Sequence, residues 1–309
     1  MNVTVLAGGV GGGRFLLGMR AALRDVPDAR LRAIVNTGDD MWLAGLRLTP
    51  DLDSIMYALA GVNDTERGWG RLGETERVSA ELAAWGVGWP WFTLGDLDLG
   101  AHISRTAWLR EGVPLHEVVR RLSARWPLGA ELIPATDDEV ETHVVTDLGE
   151  LHFQEWWTRH RAAVPAQRFV HHGIESAVPA PGVLEAIAEA DLVVLAPSNP
   201  VVSIGTILAI PGIRDAIAEV EAPVVGVSPI IGGAVVRGMA DQCLSAIGVE
   251  TSAGAVGRLY ADLLDAWLVD TVDADAAVPG VEVRAVPLWM RDEPTSAALA
   301  TEALRFARP

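Results

Sequence analysis

Val3-Thr4-Val5-Leu6-Ala7-Gly8-Gly9-Val10-Gly11-Gly12-Gly13-Arg14 decides the fold. An apolar, β-branched run breaks into glycines and then into residues spaced for a helix over about 13–24. A strand that turns through glycines into a helix presents bare backbone N–H groups to a phosphate. A second apolar run, Leu31–Val35, ends in Asn36-Thr37-Gly38-Asp39-Asp40, and Thr49-Pro50-Asp51-Leu52-Asp53 reads as the cap and first turn of another helix. Further apolar runs at 191–196 and 223–227 alternate with helical spacing. Wholly apolar strands between helices mark a parallel sheet covered on both faces, so the expected class is α/β with a Rossmann-like core.

Residues from about 62 to 128 differ. They hold six tryptophans (69, 85, 89, 91, 108 and 126) and helical patterns near 76–86, 99–111 and 114–124. They read as a mostly helical insertion into one 309-residue α/β domain. Residues 140–153 alternate around Asp147-Leu148-Gly149, as a hairpin does. A strand over 281–286 and a helix over 295–307 close the chain.

The net charge is −17, and all 24 basic residues are arginine. An acidic surface does not bind nucleic acid generally, and a chain without lysine has neither a Walker loop nor a catalytic lysine. Cys243 is the only cysteine, which excludes an intrachain disulfide, a zinc ribbon and an iron–sulfur cluster. There is no secretory leader pattern and no apolar stretch of spanning length. The expectation is a soluble cytoplasmic protein without nucleic-acid or membrane partners.

Carboxylates beside a phosphate repel it unless a hard cation lies between. Asp39, Asp40 and Asp53 are therefore the candidate ligands of Mg2+, and Gly9, Gly11, Gly12, Gly13 and Arg14 the candidate phosphate contacts. Taken alone, Asp51 and Asp53 read as structural acids that suit the dipole of a helix N-terminus, and beside Asp39, Asp40 and a phosphate loop a magnesium site is the better reading. Pro197-Ser198-Asn199-Pro200 and Ser228-Pro229-Ile230-Ile231-Gly232-Gly233 end two successive strands, where ligands of open α/β sheets sit. Gly95-Asp96-Leu97-Asp98 with His102 forms a further acidic turn. His143 and His152 lie on the hairpin, where a structural role is the commoner one.

In these motifs, together with His152-Phe153-Gln154-Glu155-Trp156-Trp157 and Val201-Val202-Ser203-Ile204-Gly205, the chain resembles the 2-phospho-L-lactate transferases of coenzyme F420 biosynthesis, most closely their actinobacterial phosphoenolpyruvate transferase branch. The resemblance runs through essentially the whole chain. It implies a guanosine-diphosphate-linked donor of a phosphoenolpyruvyl or 2-phospho-L-lactyl group and a deazaflavin acceptor, Fo. It also implies release of GMP, formation of dehydro-F420-0 or F420-0, and a homodimer. On this reading Ser198, Asn199, Ile231, Gly232 and Gly233 join the glycines at the donor. Asp53, Asp96, Leu97, Asp98 and His102 meet the acceptor, Trp85, Trp89 and Trp91 cover its ring, and Asp53 and Asp39 are catalytic. Leu97 stands where the family usually has arginine, so either another arginine, such as Arg71 or Arg105, substitutes or the affinity for the acceptor is altered. The alternative is a nucleotide-sugar-binding regulator of the same fold without turnover. A dehydrogenase is weaker, because no acid is placed for a ribose 2′-hydroxyl.

Overall fold

The computed structural model describes residues 1–307. The chain runs β1 (Asn2–Ala7), α1 (Gly9–Ala22), β2 (Arg30–Val35), the hairpin β3 (Met41–Leu43)–β4 (Leu46–Leu48), α2 (Pro50–Ala60), α3 (Arg77–Ala84), α4 (Asp96–Arg110), α5 (Leu115–Ser123) and β5 (Glu131–Pro134). A small sheet of β6 (Glu141–Thr146), β7 (Gly149–His152) and β8 (Arg168–His172) follows. Then come α6 (Val183–Ala188), β9 (Leu192–Leu195), α7 (Ile204–Ala209), α8 (Ile213–Glu219), β10 (Val224–Val227), the hairpin β11 (Ile230–Ile231)–β12 (Ala234–Val235), α9 (Ala240–Ala246), α10 (Ala253–Arg258), β13 (Ala266–Val269), β14 (Glu282–Ala285) and α11 (Glu293–Leu304).

The central sheet has seven parallel strands in the order β14-β13-β10-β9-β1-β2-β5. Its residues alternate between two apolar layers, as the two-residue period of a strand requires. Val3, Val5 and Ala7 face a layer with Phe15, Leu16, Ile55 and Leu299, whereas Leu6, Val193 and Leu195 face one with Ile187, Ile207 and Ile217. The order reverses between β1 and β9. Chain growth goes outward through β2 and β5 on one side and through β10, β13 and β14 on the other. Helices α3–α5 fall within the stretch 62–128 and lie in the crossover from β2 to β5.

Helix α1 begins at Gly9, not near residue 13, so most of the glycines are helical. Glycine costs about 1 kcal/mol in a helix interior. Close approach outweighs that cost here. A Cβ on Gly11 would stand 2.5 Å from the carbonyl oxygen of Pro197, and one on Gly12 would stand 2.8 Å from the Ala7 Cβ. Gly13 packs on Ala58 and Ile55 of α2, and a Cβ on Gly18 would stand 2.3 Å from the Ser296 backbone of α11. Gly18→Ala gains roughly 1 kcal/mol in helix propensity but must displace a backbone, an overpacking cost of typically 1–3 kcal/mol. Net destabilisation is expected, read as a lower urea midpoint at unchanged slope. A midpoint at or above wild type would show that α1 and α11 have room between them.

Candidate active site

A cleft of about 1140 Å³ opens at the carboxyl ends of the strands, around the β1/β9 reversal. Open α/β sheets bind their ligands at such a switch point. It exceeds the roughly 300–1,000 Å³ of a typical small-molecule site, which leaves room for two substrates.

Its floor is the turn from β1 into α1. Gly8 caps the helix in extended backbone and Gly9 takes a φ of +57°. The Ser198 hydroxyl accepts from the Gly8 N–H (2.9 Å) and donates to the Gly8 carbonyl (2.8 Å). That double bond ties the end of β9 to the end of β1. Asn199 lines the cleft as well, but its Oδ1 accepts from the Val201 and Val202 N–H groups and its Nδ2 faces Cys243 Sγ. Both residues therefore shape the loop with the polar atoms that the sequence reading gave to the nucleotide.

Acids form two groups. In the first, the Asn36 amide donates to Asp51 Oδ2 (2.9 Å) and, more weakly, to Asp39 Oδ1 (3.4 Å), and both carboxylates line the cleft. Asp51 stands over the glycine turn: a Cβ on Gly8 would lie 2.5 Å from its Oδ2. Burial pushes Asp51 up to about 6, and burial with the neighbouring Asp51 charge pushes Asp39 well above the carboxylate range. Two buried carboxylates sharing one amide donor call for a proton or a cation.

The second group is built by helical spacing. Asp53 and Tyr57 share a face of α2, and Asp98, His102 and Arg105 share a face of α4. Arg105 Nη2 bonds Asp53 Oδ1, and Arg105 Nη1 faces His102 Nδ1 at 2.8 Å. His102 Nε2 lies 3.2 Å from Asp98 Oδ2, and the Tyr57 hydroxyl donates to Asp98 Oδ1 at 2.7 Å. Asp53, Asp98 and His102 also bring ligand atoms within 4.8 Å of one another, a spacing that could hold a metal ion. The Arg105 guanidinium already supplies the positive charge there.

Several sequence expectations need correction. Asp40 is fully buried behind the cleft, 3.7 Å from Arg47 Nη2, and is not on its wall with Asp39. Gly12 and Gly13 also lie off the wall, because they are spent on helix contacts. Gly232 and Gly233 form the two-residue turn of β11–β12 with φ of +58° and +73°, the geometry a tight hairpin demands; only Ile231 reaches the cleft. Asp96 turns to the Thr75 N–H and hydroxyl, and the Leu97 side chain is 40% exposed outside the cleft. Neither proposed substitute for the family arginine lines the cleft: Arg71 stacks behind on Tyr57 and Trp126, and Arg105 serves Asp53. Of the three ring-covering tryptophans, Trp91 lines the cleft, Trp89 stacks behind it at 4.6 Å, and Trp85 is 79% exposed. Gly9, Gly11, Arg14, Asp39, Asp53, Asp98 and His102 are on the wall as expected.

Three arginines escaped the sequence reading. Arg161, Arg237 and Arg291 join Arg14 around the cleft. Arg14 reaches the Met290 carbonyl (3.4 Å), Arg237 the Gly68 carbonyl (3.3 Å), and Arg291 lies over Trp289. Burial and the Arg14 charge lower Arg237, as expected for cations gathered without an anion.

A parallel α/β sheet with a glycine turn, acids and arginines around its switch point offers an anionic ligand backbone N–H groups and cations in one cleft. A sequence profile described as 2-phospho-L-lactate transferase CofD matches residues 3–286, and the chain belongs to that family. It is 57% identical over 316 residues to a phosphoenolpyruvate transferase of Streptomyces coelicolor, with 99% of this chain and 98% of the relative covered. It is 56% identical to the phosphoenolpyruvate transferase of Thermobifida fusca, at the same coverage. Among solved structures, a UPF0052-family protein from Bacillus halodurans superposes with a TM-score of 0.63 over 98% of both chains; at 18% identity this shows the fold alone. No described helix is long and apolar enough to cross a membrane.

The raised Asp51 has a consequence for stability. A carboxyl whose folded value exceeds its unfolded one stabilises fully below the unfolded value, and that contribution is lost as pH rises through the folded value. From 3.8 to about 6, the loss is on the order of 3 kcal/mol. In chelator, Asp51→Asn should flatten the fall in urea stability between about pH 4 and pH 7 by that amount. Parallel pH profiles of the two proteins would refute the buried, unpaired state of Asp51.

Proposed function

We propose that this chain transfers a phosphoenolpyruvyl or 2-phospho-L-lactyl group from a guanosine-diphosphate-linked donor to the terminal hydroxyl of Fo, in F420 biosynthesis. The observation that carries the reading is one cleft lined by four arginines, a helix N-terminus and the carboxylates of Asp39, Asp51 and Asp53.

The donor diphosphate lies over the first turn of α1, where the Val10 and Gly11 N–H groups have no intrahelical acceptor, with Arg14 and Arg237 against its oxygens. Asp39 and Asp51 are hard oxygen donors on the cleft wall that fit Mg2+ and would hold it. Bound there, the ion offsets phosphate charge and orients the reacting groups. Trp91 and Phe92, from the insertion, and Trp157 supply apolar wall for the deazaflavin ring. The acceptor hydroxyl meets Asp53, whose carboxylate is held by Arg105 and Thr49. The hydroxyl oxygen forms its bond to phosphorus as the diphosphate P–O bond breaks. GMP leaves with that electron pair, and Asp53 takes the hydroxyl proton. No covalent enzyme intermediate is involved.

The test is to mix the protein, Mg2+ and Fo with each guanylated donor and resolve products by mass. GMP together with dehydro-F420-0 or F420-0 supports the reading. Tight nucleotide binding without any product would replace it with that of a regulator of the same fold.

A further inference from the structure

The outer face of the β6–β7–β8 sheet gathers three imidazoles and two carboxylates away from the cleft. Register puts them there. Glu141 pairs with His172, His143 pairs with His152, and Glu150 is opposite Val145, so all five project from one side. His143 Nδ1, Glu150 and His172 Nε2 converge so that their ligand atoms lie within 4.8 Å of one another. The His143 Nδ1 to Glu150 Oε1 distance is 3.3 Å, and His172 Nε2 stands 2.5 Å from the same oxygen, a hydrogen bond that opens by about 0.8 Å when an ion replaces its proton. Ligand atoms about 2.0–2.2 Å from a tetrahedral ion stand roughly 3.3 Å apart.

The tautomer of His143 suits a metal as well. Its Nε2 faces Glu141 Oε2 at 3.5 Å, and Glu141 is in turn held by Arg47 at 3.5 Å. A carboxylate that takes the far N–H of an imidazole leaves the near nitrogen as a bare lone pair. Metal-bound histidines are oriented in this way. His152 is different: its Nδ1 accepts from the Gln154 N–H at 3.1 Å, so the neutral ring carries its proton on Nε2 and that nitrogen is not a ligand.

We propose that His143, Glu150 and His172 form a binding site for a zinc-class divalent transition ion, with Glu141 orienting His143. Two imidazoles and one carboxylate select such an ion over Mg2+, which prefers an all-oxygen shell. The site is separate from the acids of the cleft, and the inference does not depend on the transferase reading. An ion there fastens three strands together, and β7 leads directly into Phe153, Gln154 and Trp157 of the cleft wall.

The experiment uses the full chain in excess Mg2+, so that the cleft acids are saturated. Co2+ is titrated by its visible d–d absorption, and Zn2+ by equilibrium dialysis with elemental analysis. Wild type should take up one ion per chain with the intense bands of a four-coordinate cobalt centre. His172→Ala, an exposed change that leaves the sheet intact, should weaken binding by about a hundredfold or more. Glu141→Gln should cost roughly 10–100-fold, the range found for groups that orient ligands. His171→Ala, on the opposite face of the same strand, should bind as wild type does. No cobalt uptake by wild type, uptake unchanged in His172→Ala, or an equal loss in His171→Ala would each overturn the site.

Discussion

Asp53→Asn is expected to lower turnover by about a hundredfold or more while donor binding stays near wild type. Loss of a positioned acid–base group costs roughly 10²–10⁴ in rate. The competing effect is structural. Asp53 is the partner of Arg105, which is 1% exposed, and removing one member of a buried pair costs about 3–5 kcal/mol in stability. The two effects separate by measurement. An asparagine at 53 retains an oxygen for the Arg105 guanidinium, so nucleotide titration should still report a folded donor site. If Asp53 only anchors Arg105, turnover per folded molecule will be normal and the melting temperature alone will fall. That result would move the acceptor hydroxyl away from Asp53.

The larger effect should come from the metal. Turnover is expected to vanish in excess chelator and return with Mg2+, and Asp39→Asn or Asp51→Asn should each reduce it by at least about a thousandfold, consistent with several kcal/mol of charge stabilisation. The reason is proximity. Asp51 lies over the turn proposed to take the diphosphate, and two like charges about 4 Å apart repel by roughly 4 kcal/mol in a protein-like dielectric. Without a cation, the same carboxylates oppose the substrate they sit beside. Asp40→Asn gives the contrast: it lies off the cleft beside Arg47, so its loss should alter stability more than rate. Undiminished activity in chelator would remove the metal from the proposal.

The central sheet was legible because its strands are buried on both faces and therefore apolar throughout, as at Val3–Ala7 and Leu192–Leu195. The 140–153 hairpin was legible because its pattern alternates. What local pattern could not carry was direction. Asp39 and Asp40 are neighbours of equal chemistry, yet the turn after β2 aims one at the cleft and the other at Arg47. Asp51 shares with Asp53 both a helix-dipole and a metal reading in the sequence. Its place beside Gly8 depends on how α2 packs on α1, which no single segment records. Gly232-Gly233 between Ile230-Ile231 and Ala234-Val235 did carry a hairpin signal, and the phosphate reading of glycine overrode it. Arg161, Arg237 and Arg291 sit in three loops far apart in the chain, so only the fold brings them together.

The crossover between β2 and β5 leaves the sheet after Val35 and returns at a strand paired with it, Val35 opposite Pro134. Geometrically it is a detour whose start and finish stay fixed however long it grows. Lengthening such a loop costs only about 0.6 kcal/mol per doubling. The detour carries Asp53, Trp91, Asp98 and His102, whereas Gly8, Gly9, Ser198 and Ile231 hang directly from sheet strands or the turns that end them. One wall of the cleft is thus open to remodelling by insertion and exchange, and the opposite floor is bound to the register of the sheet. Within this architecture, the detour wall can change its side chains while Gly8, Gly9 and Ser198 keep the places that the sheet gives them.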